Sequence, residues 1–377
     1  MAGIYIHIPF CKSRCTYCAF YSTTDLRLRT TYADALCREI DARCSALSVA
    51  EPHTLYFGGG TPSLMSLEDI GRVLSHITSF GLQFKECTIE CNPEDITDDY
   101  AMALHSLGFD RVSLGVQTLS DVRLRQLNRR HNALKVSDAI KALHKAGITN
   151  ISIDLIYGLP DETLEEWDAD LNRALSMLDS EDTTFTHLSA YCLSYEDGTP
   201  LYRQLHSGIV KETDEEQELS MYKLLCERMR EVGFEHYEIS NFARSGFRSI
   251  HNSGYWNGTH YIGIGAAAHS YDGKRRSWNP SDLKLYLQAW GRGANLPDVT
   301  GQELLSAEDH YNELLMTRLR TSDGLDEKLI DHSFLRYFKT QVQPFLDNGD
   351  MEYDGTTYLI SEKALFVSDS IIATLFL

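Results

Sequence analysis

Short apolar runs rich in β-branched and aromatic residues recur along the first half of the chain, at 4–8, 54–57, 87–91, 111–114, 151–156 and 187–193. Runs of this length and composition predict buried strands. Between them lie stretches at 32–47, 67–80, 98–107, 136–146 and 164–178, where apolar positions return with helical spacing. Six strands alternating with helices predict a parallel sheet. The strand ends are polar and rich in glycine, which favours a partial (β/α)6 barrel over a doubly wound sheet. The alternation by itself is compatible with both. In a barrel of this kind, chemistry gathers at the C-terminal ends of the strands.

The texture changes near Asp197. Residues 215–232 read as one long helix, with Asp214, Glu215 and Glu216 at its N-terminus, where acidic groups suit the helix dipole. Residues 237–271 are dense in aromatics, glycine, asparagine and histidine. Helical patterns return at 308–319, 327–330 and 335–346. A hairpin follows, with strands at 351–353 and 358–360 around Asp354-Gly355. The expectation is therefore a partial barrel over 1–235, an aromatic and histidine-rich connecting region over 236–305, and a small α+β, winged-helix-like C-terminal domain over 306–377.

Composition narrows the functional class. The chain has 377 residues, 43% of them hydrophobic, enough for a substantial core and two or three domains. Acidic residues number 54 and basic ones 35, for a net charge of −19. A phosphate backbone would be repelled over most of such a surface, so nucleic acid is not an expected partner. No apolar run reaches the roughly 18 residues needed to cross a bilayer, and no signal-peptide pattern opens the chain. The expected location is cytoplasmic, with peripheral membrane contact left open. Nine cysteines, odd in number and unevenly spaced, do not read as a disulfide framework. In a reducing compartment they stay free or bind metal.

Three of the nine stand apart. Cys11, Cys15 and Cys18 form a CxxxCxxC loop directly after the first strand. Thiolates are soft ligands that select iron–sulfur clusters or zinc. Ordinary four-iron clusters take four cysteines. A compact set of three would leave one iron free to bind something else. The competing reading is a zinc knuckle with His7 as fourth ligand, but structural zinc sites usually bring their ligands in two pairs. Cys37, Cys44, Cys87, Cys91, Cys192 and Cys226 fall on predicted helices or strands and read as small buried hydrophobes.

Other strand ends carry candidate binding groups. Gly58-Gly59-Gly60-Thr61-Pro62 follows the second strand and lacks the Gly-Lys-Ser/Thr of a phosphate loop. Consecutive glycines let a ligand approach the backbone closely, and equally suit a tight turn. Glu90, Gln117, Arg129 and Asp154 could hold a zwitterionic, hydroxyl-bearing ligand, with carboxylates accepting from an ammonium or from hydroxyls and arginine pairing with a carboxylate.

Taken together, Tyr5 through Cys18, Tyr56 through Pro62, Glu90-Cys-Asn-Pro93, Leu114-Gly-Val-Gln117, Leu127 through His131 and Ile153 through Pro160 resemble the radical S-adenosylmethionine (SAM) superfamily. More narrowly, they resemble the branch that contains oxygen-independent coproporphyrinogen III oxidase and the HemW-type haem chaperones. Tyr237 through Phe242 and His251 through Trp256 extend the likeness over most of the chain. The resemblance implies that Cys11, Cys15 and Cys18 ligate three irons of a 4Fe-4S cluster, whose fourth iron SAM chelates. It implies a SAM site lined by Tyr5, Gly59, Gly60, Thr61, Glu90, Gln117, Arg129 and Asp154.

The two members of that branch differ in class. The oxidase converts propionate side chains of a porphyrinogen to vinyl groups by oxidative decarboxylation. The chaperone binds haem and delivers it to a recipient haem protein. Three features favour the chaperone. The oxidase pattern continues with a further cysteine two residues past the third, where this chain has Phe20. The oxidase carries a longer segment before its cluster loop. His251-Asn-Ser-Gly-Tyr-Trp256 matches the HNxxYW motif associated with haem in HemW-type proteins. Histidine is a common axial ligand to haem iron, and Tyr255 and Trp256 offer flat apolar faces. His251, Tyr255 and Trp256 are therefore the expected haem contacts, with His260 and His269 as competing ligands. Partners implied are SAM, haem or a porphyrin, a recipient haem protein and an electron donor.

Overall fold

The computed structural model describes residues 2–44, 47, 53–291 and 301–377. Parts of the helix predicted over 32–47 and of the region 236–305 lie outside the described residues.

Six strands run parallel and in chain order: β1 (Gly3–Ile8), β2 (His53–Gly59), β3 (Phe84–Cys91), β4 (Arg111–Gln117), β5 (Asn150–Tyr157) and β6 (His187–Cys192). Helices α1 (Arg29–Arg43), α2 (Leu67–Thr78), α3 (Asp98–Ser106), α4 (Asp121–Gln126), α5 (Ala133–Lys145) and α6 (Leu164–Ser176) join them. This is the α/β partial barrel expected from the alternation. Local signals start the helices where they start. Ser66 and Thr97 accept from the third backbone N–H of α2 and α3, and Thr163 with Glu166 closes a capping box on α6.

The strands are apolar toward the helices and polar toward the barrel interior. Ile4, Ile6, Leu55, Phe57, Ile89, Val112, Leu114, Ile151, Ile153 and Leu155 are all buried in one continuous core with the helices. The inward positions carry Thr88, Arg111, Ser113, Ser152 and His187, all buried as well. Arg111 is 1% exposed, and its Nε and Nη1 have no hydrogen-bond partner.

The described strands between residues 235 and 304 extend the barrel sheet at both edges. Beyond β6 lie β8 (Asn241–Ala243) and β7 (Glu235–Glu238), both antiparallel to their neighbours. Beyond β1 lie β9 (Tyr261–Ile264), parallel to it, then β10 (His269–Tyr271), β11 (Arg275–Trp278) and β12 (Gly301–Leu304). The reason is physical: exposed edges of a parallel sheet carry unpaired backbone groups, and this segment satisfies them. Between the two sets sits α9 (Ile250–Trp256), a short helix where the sequence suggested only an aromatic segment. The Glu86 carboxylate accepts from the backbone N–H of Ile250 (2.8 Å) and His251 (2.9 Å), capping α9 with negative charge.

Helices α7 (Pro200–His206) and α8 (Glu215–Glu231) follow β6, and α10 (Leu283–Trp290) packs on α1. The C-terminal segment has its own core around Leu315, Leu319, Phe338, Val342, Tyr358 and Ile372. It comprises α11 (Ala307–Arg318), α12 (His332–Asp347), α13 (Ser368–Leu375) and a three-stranded antiparallel sheet ordered β13 (Leu325–Asp326), β15 (Thr357–Ile360), β14 (Met351–Tyr353). The helices expected at 308–319 and 335–346 and the hairpin are there, 327–330 is a single 3-10 turn (Glu327–Leu329), and one further short strand and a last helix complete the segment.

Candidate functional site

The C-terminal strand ends surround a cavity of about 650 Å3. Cys11, Cys15, Cys18, Gly59, Gly60, Thr61, Glu90, Gln117, Arg129 and Asp154 all line it. Of the residues expected to bind the cluster or SAM, Tyr5 alone is not at its surface. Tyr5 sits one layer below, its hydroxyl 3.1 Å from His7 Nδ1 and its ring stacked on Tyr56.

The cysteine loop is held by backbone hydrogen bonds rather than by packing. Cys11 N donates to Thr23 O at 2.9 Å, and Thr16 N to Leu127 O at 3.2 Å. The Asn128 side chain donates to Arg14 O at 2.8 Å. The turn after α4 thereby fixes the loop and brings Arg129 beside it. Arg129 Nη1 lies 3.6 Å from Cys15 Sγ, and Nη2 donates to Asn92 Oδ1 at 2.7 Å and to Gly115 O. Its Nε is buried and has no partner. Thr61 Oγ1 is 3.7 Å from Cys11 Sγ. Burial pushes the Cys11 and Cys18 thiols up, so these groups bind metal only with release of a proton.

The glycine run is required sterically. Gly59 has φ +112, and a Cβ there would stand 2.6 Å from the His7 ring. A Cβ on Gly60 would stand 2.9 Å from Phe10 O. The backbone of this loop therefore lies against the start of the cysteine loop, with no side chain between them. Gln117, at φ +70 on a bulge in β4, accepts from the Tyr17 hydroxyl at 2.9 Å.

Two carboxylates form the floor. Glu90 accepts from the Tyr56 hydroxyl (2.8 Å) and from Gly59 N (3.0 Å), and burial pushes its carboxyl up to about 7. Asp154 accepts from Ser113 Oγ at 3.1 Å, and burial raises it too. The buried Arg111 guanidinium acts against both rises. Sequence reading did not single out Arg111; the available signal was a cation at the start of an otherwise apolar strand.

All nine cysteines are free. Among the described residues, no three His, Cys, Asp or Glu side chains converge on a single metal-ion position. The three loop thiols face one cavity as separate ligands, as a cluster with one thiolate per iron requires. His7, the fourth ligand of a zinc knuckle, has both nitrogens engaged, with Tyr5 Oη and with Tyr21 O at 3.2 Å. The residues present fit a cluster better than a single zinc ion.

The structure places the expected haem contacts away from this cavity. His251 is 3% exposed and lies outside the cavity. Its Nδ1 is 2.9 Å from Thr54 Oγ1 and its Nε2 2.9 Å from the Tyr255 hydroxyl. Burial pushes its pKa down to about 3. The crevice beside it holds only about 10 Å3, at most one water. Neither nitrogen is free to ligate iron, and Tyr255 is the partner that occupies Nε2. Trp256 is half-buried at the end of α9. His260 is exposed beside the same crevice, and His269 stacks on Trp278.

With this geometry in place, the comparisons fix the class. Residues 5–174 match the radical SAM superfamily. The chain is a radical SAM protein, and relatives over its whole length narrow the assignment. It is 31% identical to "Heme chaperone HemW" of Mycobacterium tuberculosis, over 99% of this chain and 94% of the relative. It is 33% identical to the Bacillus subtilis protein of the same name, over 87% of this chain and 86% of the relative. The chain belongs to the HemW family. Its fold matches the solved coproporphyrinogen III oxidase HemN of Escherichia coli, with a TM-score of 0.82 at 24% identity, covering 100% of this chain and 90% of that one.

Proposed function

We propose that this chain is a haem-binding radical SAM protein that delivers haem to a recipient protein. Cys11, Cys15 and Cys18 would hold a 4Fe-4S cluster, with SAM on the remaining iron. When bound, that pair supplies reductive cleavage of the sulfonium bond to a 5′-deoxyadenosyl radical. The chain's own residues bind and orient. Glu90 and Asp154 accept from the ammonium and hydroxyl groups of the ligand, Arg129 neutralises its carboxylate, and Gly59 and Gly60 let it lie against the backbone. Arg111 offsets part of what burial costs the ionised forms of Glu90 and Asp154.

The observation that carries the reading is at Phe20. This residue lines the cavity next to the three thiols and is 73% exposed. The oxidase pattern has a cysteine there. An exposed aromatic at the mouth offers an apolar face and no thiol chemistry. The HemW names of the relatives support the same reading. Anaerobic reconstitution with iron and sulfide, followed by titration with ferric haem, tests it. The expected product binds about four irons per chain and one haem. A chain that takes up only zinc, or that leaves the haem spectrum unchanged, overturns the proposal.

A further inference from the structure

The charge around the cysteine loop runs against that of the chain. Residues 11–24 and 122–137 together carry seven Lys or Arg and no Asp or Glu, on a chain of net charge −19. The two segments lie side by side, because Thr16 N donates to Leu127 O and the Asn128 side chain to Arg14 O. Lys12, Arg14, Arg125 and Arg130 are exposed there. Lys12 and Arg130 each face one carboxylate, Asp95 at 3.6 Å and Glu94 at 3.4 Å. Exposed pairs of this kind are weak. Arg14 donates to Ser22 O. Neither Arg14 nor Arg125 has an ion-pair partner among the described residues.

Exposed apolar side chains stand among these cations. Phe20 is 73% exposed, Val122 57% and Leu134 76%. Val122 lies three residues before Arg125 on α4, hence on the same face of that helix. The Asp121 carboxylate accepts from Ala133 N at 2.9 Å, which sets Leu134 beside them. One exposed apolar side chain is ordinary, but several gathered in one place mark a contact surface. Arginines mixed with large apolar groups are the composition of a protein interface. The three thiols sit within this surface: Cys11, Cys15 and Cys18 are half-buried and line the same cavity as Lys12, Arg14, Phe20 and Arg130.

We infer that this surface docks an acidic electron-carrier protein that reduces the cluster; the inference rests on the cluster assignment above. One electron passes from the reduced carrier to the oxidised cluster, and no bond forms or breaks. Opposite charge speeds and orients such an encounter. Electron-transfer complexes are small and transient, which suits a few cations around a few apolar groups. Nucleic acid or an anionic membrane would be drawn to the same cations, but neither accounts for their placement around the thiols.

The test uses the full-length, cluster-loaded protein, with its iron content measured first. The probes are an acidic plant-type 2Fe-2S ferredoxin and an acidic flavodoxin, both reduced beforehand. Binding is read by calorimetry and cluster reduction by stopped-flow absorbance, at low and at high salt. Wild type should bind at least one carrier, and its reduction should slow as salt rises. Arg14→Glu and Arg125→Glu should each slow reduction by the carrier severalfold, and together about tenfold. Reduction by methyl viologen, a cation, should not slow, and Arg125→Glu should keep wild-type iron content and SAM affinity. Lys274→Glu, exposed in the turn between β10 and β11, makes the same change in net charge and should behave as wild type. Three results overturn the docking surface and leave the cluster standing. These are no binding of either carrier, reduction indifferent to salt and to both arginines, and equal slowing by Lys274→Glu. Binding to phosphatidylserine vesicles in place of the carriers, lost in the arginine variants, overturns it in favour of a membrane. A chain that takes up no cluster overturns both readings.

Discussion

The His251 ring lies flat on Tyr56, with centroids 5.0 Å apart and planes 28° from parallel. Tyr56 in turn donates to Glu90 on the cavity floor. The HNxxYW segment thus supports the SAM-side cavity from below, through one aromatic ring. Replacing His251 by alanine removes that support and orphans Thr54 and Tyr255. The expected cost is about 2–4 kcal/mol of stability, read as a lower urea midpoint. The spectrum of bound ferric haem should not change.

The cluster loop gives the sharpest contrast among the cysteines. Cys15→Ala should abolish iron uptake on anaerobic reconstitution. Cys37→Ala, on the buried face of α1, should keep wild-type iron content, because its thiol only fills space. Iron and sulfide analysis of the two variants decides the point.

Buried carboxyls set a pH dependence. Burial pushes Glu90, Glu162 and Glu238 each up to about 7. An unfolded glutamate titrates near 4.3. Between those values the unfolded chain loses the protons that the folded chain keeps. The contribution of these three groups therefore falls as pH rises from about 4.5 to 7, while the buried His7 and His251, pushed down to about 4 and about 3, contribute in the opposite direction over the same range. Each carboxyl contributes up to about 3 kcal/mol. In urea titrations at pH 5 and pH 7.5, the change in stability with rising pH should be more favourable in Glu90→Gln than in wild type, by the share of that one carboxyl.

Gly59 tests the close approach of the two loops. At φ +112, with His7 2.6 Å from any added Cβ, Gly59→Ala forces a backbone shift. The expected loss is about 2–4 kcal/mol in stability, together with SAM affinity. Thermal denaturation and SAM binding check the two effects separately.

The barrel was legible because short segments rich in β-branched and aromatic residues alternate with stretches of helical spacing. All six strands lie where those segments fall. The cavity was legible for the same reason: residues at strand ends of a parallel barrel must converge, whatever their chemistry. Short elements were not. Helix α4 has six residues and α9 contains Gly254, so neither shows a full helical period. The pairing of β9 with β1 joins residues more than 250 positions apart, which no local pattern records. The surroundings of His251 were not legible either. A sequence shows an imidazole but not the Thr54 and Tyr255 hydroxyls that occupy its nitrogens.

The most direct test of the central claim is an anaerobic assay of the reconstituted protein with coproporphyrinogen III, SAM and a reductant, run beside a ferric-haem titration. The account predicts stoichiometric haem binding and no protoporphyrinogen. Turnover of coproporphyrinogen III to protoporphyrinogen would contradict it.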